Sequence, residues 1–247
     1  IQQQKLLDIF QLFWFTETDK VYFIKDIQYQ RNTINRIICY FKPKLFTLLN
    51  KYTKLRREKK KIIQTSKDNS WLNSIDKQLF DIGRSIIEIK KNFLEEFQNF
   101  LSNNNKHFFD FEIIPSFGLS QTENFLKEFQ KGLSDENRWP NDYKLHSNYD
   151  PKKSVFEITH SQKNISQLSS AQSKMLILSL LLSCAKFLNH NKITIFLIDE
   201  IFDNFDMINT QKVIQYCAEN KFQTFFSTTD NFTLRGNIDN LEIKEIF

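Results

Sequence analysis

The sequence predicts an α/β fold in which a mainly parallel sheet fills the carboxyl-terminal part and a mainly helical lobe precedes it. Three observations carry this expectation. The run Ile195-Phe196-Leu197-Ile198, following Thr194 and ending abruptly on Asp199-Glu200, reads as a strand buried on both faces of a parallel sheet. From Ser154 onward, strand-like and helix-like segments alternate, as crossover units require. From about Asn32 to Gln130, apolar residues instead recur at the three- and four-residue steps of helix faces.

Taken in order, Leu12-Phe13-Trp14-Phe15 is expected to be a short buried strand ending in the polar turn Thr16-Glu17-Thr18-Asp19. Ile34, Ile37, Ile38, Phe41, Leu45, Leu48, Leu49 and Tyr52 mark a first helical run. A second begins near Ser70, a candidate N-cap, and passes through Phe80, Ile86, Ile87, Phe93, Phe97 and Phe100. The basic stretch around Lys51–Lys61 and residues Thr65–Asn69 lie between the runs, giving an antiparallel helical hairpin. Phe109, Phe111 and Ile113 alternate with acids as in a half-buried strand that Pro115 stops, and a shorter helix follows at Gln121–Gln130. The later elements are a strand at Ser154–Thr159, a helix at Ser169–Leu188, a strand at Ile193–Ile198, a helix near Asn209–Asn220 and a strand at Phe222–Phe226. The implied division is residues 1–30, 31–135 (the helical lobe) and 136–247.

Composition narrows the function classes. A chain of 247 residues with 40% hydrophobic content builds a packed core and is not disordered. Its 26 Phe and 4 Gly imply a bulky interior with few glycine turns. Cys39, Cys184 and Cys217 are far apart and odd in number, which argues against a disulfide framework or a zinc site and for a reducing cytoplasm. Met175–Ala185 falls short of the roughly 20 apolar residues of a spanning helix, so no membrane segment is expected. The first residue is Ile1, and the sequence is expected to be a fragment.

The net charge of +5 is uneven: residues 151–247 hold 10 Lys/Arg and 10 Asp/Glu, leaving 24 against 19 in residues 1–150. Lys51, Lys54, Arg56, Arg57, Lys59, Lys60 and Lys61 cluster with Glu58 as their only local counter-charge. Such a block attracts nucleic acid by releasing counterions from phosphate. A solvated helix face explains it equally well.

The acids at the end of the buried strand point to chemistry. Ligands of open α/β sheets bind at the carboxyl ends of the strands, so Asp199 and Glu200 suggest a metal-assisted nucleotide site, with a solvated loop as the simpler reading. Ahead of them, Leu168-Ser169-Ser170-Ala171-Gln172-Ser173-Lys174 opens a long apolar helix, where N–H groups and the helix dipole favour an anion; N-capping by Ser169 is the plainer explanation. Behind them come Phe202-Asp203-Asn204-Phe205-Asp206 and Ser227-Thr228-Thr229-Asp230.

In that order and spacing, the motifs resemble the second half of an ATP-binding-cassette (ABC) ATPase head of the chromosome-maintenance type, and within that group the RecF family. The resemblance extends over nearly the whole chain, with Leu12–Thr16 as the strand before the helical lobe and Arg36 kept in the family's Arg-rich segment. It implies that Ser169, Ser170, Ala171 and Gln172 form the signature loop, which meets the γ-phosphate of ATP held by a second subunit. Asp199 would hold Mg²⁺ through water as the Walker B residue, and Glu200 would polarise the attacking water. Asp206 would lie in the loop crossing a homodimer interface, and Thr228 or Thr229 would replace a switch histidine. The implied protein is a cytoplasmic DNA replication and repair ATPase that clamps single-stranded or gapped DNA, helps recombinase loading with RecR- and RecO-like partners, and supports the SOS response.

The match has gaps. Gly83, Gly118, Gly132 and Gly236 include no pair spaced for a phosphate-cradling G-x-x-x-x-G-K-[ST] loop, so ATP and Mg²⁺ binding would require an amino-terminal part, and this chain alone is expected not to hydrolyse ATP. Ala171 stands at a family Gly, where a methyl group would crowd phosphate or strain a positive φ at about 1 kcal/mol. His146-Ser147-Asn148-Tyr149 replaces Gly-Pro-His-Arg, with Asp150 retained. The alternative is a non-enzymatic helical DNA-binding or scaffold module, or a decayed ATPase remnant.

Overall fold

A computed structural model of the protein describes residues 9–65, 68–104, 111–115, 122–138, 149–154, 156–188, 192–200, 205 and 207–227. Strand β1 (Phe10–Phe15) leads into helix α1 (Glu17–Lys25). The expected polar turn at Thr16–Asp19 is instead the start of this helix: Thr16 Oγ1 accepts from the Asp19 N–H, and Asp19 Oδ2 accepts from the Thr16 N–H, both at 3.0 Å. This reciprocal capping satisfies two N–H groups that would otherwise lack partners.

Helix α2 (Ile27–Phe41), capped by Asp26, and helix α3 (Lys44–Thr65) replace the single first helical run. The break falls at Lys42-Pro43, because proline disfavours helical geometry in the residue before it. Helix α3 contains the whole basic stretch, which therefore lies inside a helix and not in a connection. Helix α4 (Asn69–Asn104) is capped by Asp68 rather than Ser70: Asp68 Oδ1 accepts from the Trp71 N–H at 3.1 Å. Helices α3 and α4 form the long hairpin of the lobe. Strand β2 (Glu112–Pro115) and helix α5 (Thr122–Arg138), eight residues longer than expected at its end, complete it. Phe109 lies outside the described residues.

The carboxyl-terminal half adds β3 (Phe156–His160), β4 (Lys163–Asn164), a 3-10 turn at Ile165–Gln167, α6 (Ser170–Leu188), β5 (Ile193–Ile198), α7 (Met207–Glu219) and β6 (Gln223–Phe226). One sheet is parallel in the order β1-β5-β6, with Phe13 opposite Phe196 and Ile198 opposite both Phe15 and Phe226. The other, β2-β3-β4, is antiparallel. Its β3–β4 hairpin turns on Ser161 and Gln162, both at positive φ (48° and 64°), as a tight two-residue turn requires.

Helix α6 covers one face of the parallel sheet. Gln11 on that face donates through Nε2 to Thr194 Oγ1 at 2.6 Å and to the Ala185 carbonyl at 3.2 Å, tying both neighbouring strands to the helix. Phe13 stacks on Phe196 at 4.9 Å between centroids. The opposite face is open: Ile193, Leu197 and Phe225 are 57%, 42% and 54% exposed. The expectation that β5 is buried on both faces is thus corrected to burial on one, because α6 covers only the Thr194, Phe196 and Ile198 side of the pleat.

By length and hydropathy α6 could cross a bilayer, but Ser173–Leu182 are all buried within the protein. Phe187 on this helix lies 5.4 Å from the rings of both Phe97 and Phe100 on α4. The lobe and the parallel sheet consequently share one continuous core.

Candidate functional site

Strand β5 lies between its two neighbours and carries Asp199 and Glu200 to their common carboxyl edge. The Asp199 N–H donates to the Phe15 carbonyl at 2.9 Å, and the Ser227 N–H donates to the Ile198 carbonyl at 3.0 Å, so the strand ends are held in register. The Ser227 hydroxyl donates to Asp199 Oδ1, and its oxygen accepts from the Glu200 N–H at 3.3 Å. Glu200 itself adopts the left-handed conformation with φ 48°, at a cost of about 1 kcal/mol for a residue with a Cβ. In the sequence Ser227 heads the Ser227-Thr228-Thr229-Asp230 motif but carries no role of its own; the signal for one is its position directly after an apolar strand.

The start of α6 approaches this edge. Ser169 Oγ accepts from the Gln172 N–H at 3.3 Å, while Gln172 Oε1 accepts from the Ser169 N–H at 3.0 Å, a reciprocal cap. Residues Ser169–Gln172 are exposed. Ala171 lies in the first helical turn without positive φ, so the expected backbone strain does not arise in this conformation. Ser170 Oγ accepts from Lys20 Nζ at 2.9 Å. Lys174, wholly enclosed, donates to the Glu200 carbonyl at 2.9 Å. Its ammonium also lies 3.3 Å from Glu17 Oε1 and 4.9 Å from the Phe205 ring centroid.

Asp206, Thr228 and Thr229 lie outside the described residues. Among the described residues no group of three His, Cys, Asp or Glu side chains gathers as a metal cage. Mg²⁺ in phosphate sites commonly takes only one or two carboxylates and fills its remaining positions with water and phosphate oxygen. The exposed Asp199 carboxylate, beside the Ser227 hydroxyl, is a donor set of that kind.

The basic residues divide. Lys51, Lys54, Arg57, Lys60 and Lys61 are exposed on α3. Lys59 is not: it is 0% exposed, its ammonium 2.7 Å from Asp76 Oδ1 and 3.2 Å from Glu136 Oε2, and it donates to the Leu133 carbonyl at 2.6 Å. Arg56 pairs with the same Glu136. Both are corrected from candidate DNA-binding residues to ties within the lobe, because their charges are already engaged by acids on α4 and α5.

No protein-family model matches the chain. Over 252 aligned residues it is 24% identical to the DNA replication and repair protein RecF of Rickettsia massiliae and 23% identical to that of Rickettsia conorii, covering 96% of this chain and 70% of each relative. Its fold matches a solved structure of the recombination mediator protein RecF in the RecFOR pathway, described as RecF-ATPrS, with TM-score 0.68 and 21% identity over 92% of this chain. The chain is similar to RecF proteins over nearly its whole length and shares their fold. A second solved RecF structure, described as RecF-ATP, matches with TM-score 0.66 at 21% identity. This chain spans 65% and 63% of those two solved chains. Its parallel sheet and helical lobe are those of the RecF ABC-ATPase-like fold.

Proposed function

We propose that this chain is a RecF-family member and supplies the signature and Walker B share of an ATP-dependent DNA replication and recombinational repair protein. The carrying observation is that Asp199 and Glu200 leave the central parallel strand at the edge to which Lys20 and Lys174 tie the start of α6. The names of the curated relatives support the repair role, and the solved RecF-ATP form supports ATP as the ligand.

In this reading Asp199 holds hydrated Mg²⁺, which neutralises charge on the phosphates when bound. Glu200 orients the attacking water. Ser169, Ser170, Ala171 and Gln172 face the γ-phosphate of a nucleotide bound to the partner in a homodimer, with Asp206 at that interface and Thr228 or Thr229 beside the phosphate. The phosphate-cradling loop comes from residues outside this sequence, which has no suitably spaced glycines. Catalysis then consists of positioning and charge stabilisation, the needs of phosphoryl transfer.

The division into residues 1–30, 31–135 and 136–247 belongs to this proposal, as do cytoplasmic action, binding to single-stranded or gapped DNA, recombinase loading with RecR- and RecO-like proteins, and the link to the SOS response. The exposed lysines and Arg57 of α3 would meet DNA phosphates without reading sequence. The test is Glu200→Gln in the full-length protein: an ATP-bound dimer should accumulate, whereas wild-type turnover would overturn the assignment.

A further inference from the structure

Three side chains connect Ser170 to Glu200 without a break. Lys20 donates to Ser170 Oγ at 2.9 Å and pairs with Glu17 Oε2. The other carboxylate oxygen, Oε1, lies 3.3 Å from Lys174 Nζ, which in turn donates to the Glu200 carbonyl at 2.9 Å. The side chains of Lys20 and Lys174 are 8% and 0% exposed. Burying an ammonium is costly unless its partners hold it, so both lysines are fixed by the groups they touch.

The joint between Glu17 and Lys174 differs from the rest. Oε1 is buried and makes no hydrogen bond, so its approach to Lys174 is an ion pair without hydrogen-bond alignment. It can tighten if either end of the chain moves. At the far end, the left-handed Glu200 is held from two sides, its carbonyl by Lys174 and its N–H by the Ser227 oxygen. A shift of Lys174 therefore acts on the backbone that aims the Glu200 carboxylate.

We propose that Lys20, Glu17 and Lys174 are positioning residues that report the state of the Ser170 hydroxyl to Glu200. When the Ser170 hydroxyl turns to donate to a phosphate oxygen, the lone pair that accepts from Lys20 is reoriented, Lys20 settles differently against Glu17, and the change passes through Lys174 to the Glu200 carbonyl. This inference rests on the reading above, in which Ser170 faces phosphate and Glu200 orients water. It adds that α1, which carries none of the cassette motifs, links them.

The test uses amide hydrogen exchange in the full-length protein, read at Glu200 by nuclear magnetic resonance without nucleotide. Ser170→Ala removes the acceptor of Lys20 and should change exchange at Glu200 by at least about threefold, with α3 amides unchanged as the check on folding. In a Glu17→Gln background the same substitution should have no further effect at Glu200. Lys174→Met should accelerate Glu200 exchange, and Lys174→Arg should largely restore it; if the Met variant fails to fold, the Arg and Glu17→Gln variants still decide. Exchange at Glu200 that ignores Ser170→Ala in a folded protein overturns the coupling. ATP turnover by the same preparations is scored separately: absence of turnover in the wild type counts against the nucleotide reading, whereas the exchange response alone decides the coupling.

Discussion

Arg56 and Glu136 meet in a two-pronged ion pair, Nη1 2.6 Å from Oε2 and Nη2 2.8 Å from Oε1. Glu136 also serves Lys59, so a single carboxylate on α5 binds two cations from α3. Burial alone would raise the Glu136 carboxyl, but the hydrogen bonds and charges of Arg56 and Lys59 outweigh it and hold the group below its usual range. Asp76, which shares Lys59 and accepts from Asn137 Nδ2 at 2.6 Å, is shifted upward because burial dominates there.

Removing Glu136 should accordingly damage the lobe. Glu136→Ala leaves Lys59 and Arg56 short of a carboxylate in a buried site, a loss of about 3–5 kcal/mol by analogy with broken buried pairs. Lys60→Ala, on the exposed side of the same helix, should stay within roughly 0.5 kcal/mol. Urea unfolding of both variants checks the contrast, and equal stabilities would show that the network contributes nothing.

Gly83 is a notch in α4. A Cβ built there would stand 2.5 Å from Phe129 Cε1 and 2.9 Å from Pro151 Cγ. Gly83→Ala should gain about 1 kcal/mol of helix propensity and lose about 1–3 kcal/mol to overpacking, giving a net destabilisation. A rise in Tm for this variant would mean that Phe129 yields freely.

Lys90 gives the protein a pH dependence. Its fully buried ammonium donates to the Pro151 carbonyl at 3.1 Å and to Ser154 Oγ at 2.8 Å, joining α4 to the turn before β3. Burial lowers its pKa from 10.5 to about 7, with Asp150 opposing the shift and Arg31 adding to it. Between these values the unfolded chain holds a proton that the folded chain releases. Stability from this group is therefore present above the unfolded value and lost as pH falls through the folded one. Relative to Lys90→Met, wild-type stability should rise by up to about 1.4 kcal/mol per pH unit between 7 and 10. A pH-independent difference between the two proteins would contradict the shift.

The exposed basic face of α3 should govern the salt dependence of DNA binding. Replacing Lys51, Lys54, Arg57, Lys60 and Lys61 by Gln should reduce the slope of log affinity against log salt by about 0.7–0.9 for each phosphate no longer neutralised. An unchanged slope would make the face a bystander, and the buried Lys59 should not be included among the replacements.

The periodic apolar segments are the legible part of the fold. Strand β5 is found at Ile193–Ile198 as expected, and α6 differs by one residue at its start, because each is an unbroken apolar run with clear flanks. Helix α1 escapes the pattern because only Lys20 and Phe23 are buried on it, leaving no apolar stripe; its signal is the Thr16–Asp19 capping pair. Among the described residues the three lysines at 0% exposure, Lys59, Lys90 and Lys174, are hidden for a common reason. Lys59 follows Tyr52 and Leu55 and precedes Ile62 at helical spacing, so it occupies the apolar stripe of α3. Lys90 stands likewise between Ile86 and Phe93, and Lys174 beside Met175 and Leu178. Residue type suggests solvent, whereas position specifies interior, and partners distant in sequence decide. Asp199 and Glu200 are legible because an apolar strand ends on them, but Ser227 requires knowledge that β6 lies beside β5.

In the proposed function Glu200 orients water at a nucleotide site completed by residues outside this sequence. The most direct measurement of this role is ATP turnover by the full-length protein and its Glu200→Gln variant, together with their oligomeric state in ATP and Mg²⁺. The variant should lose at least about 100-fold in turnover, the scale of a lost catalytic base, while accumulating as an ATP-bound dimer. Equal turnover in the two proteins would contradict it.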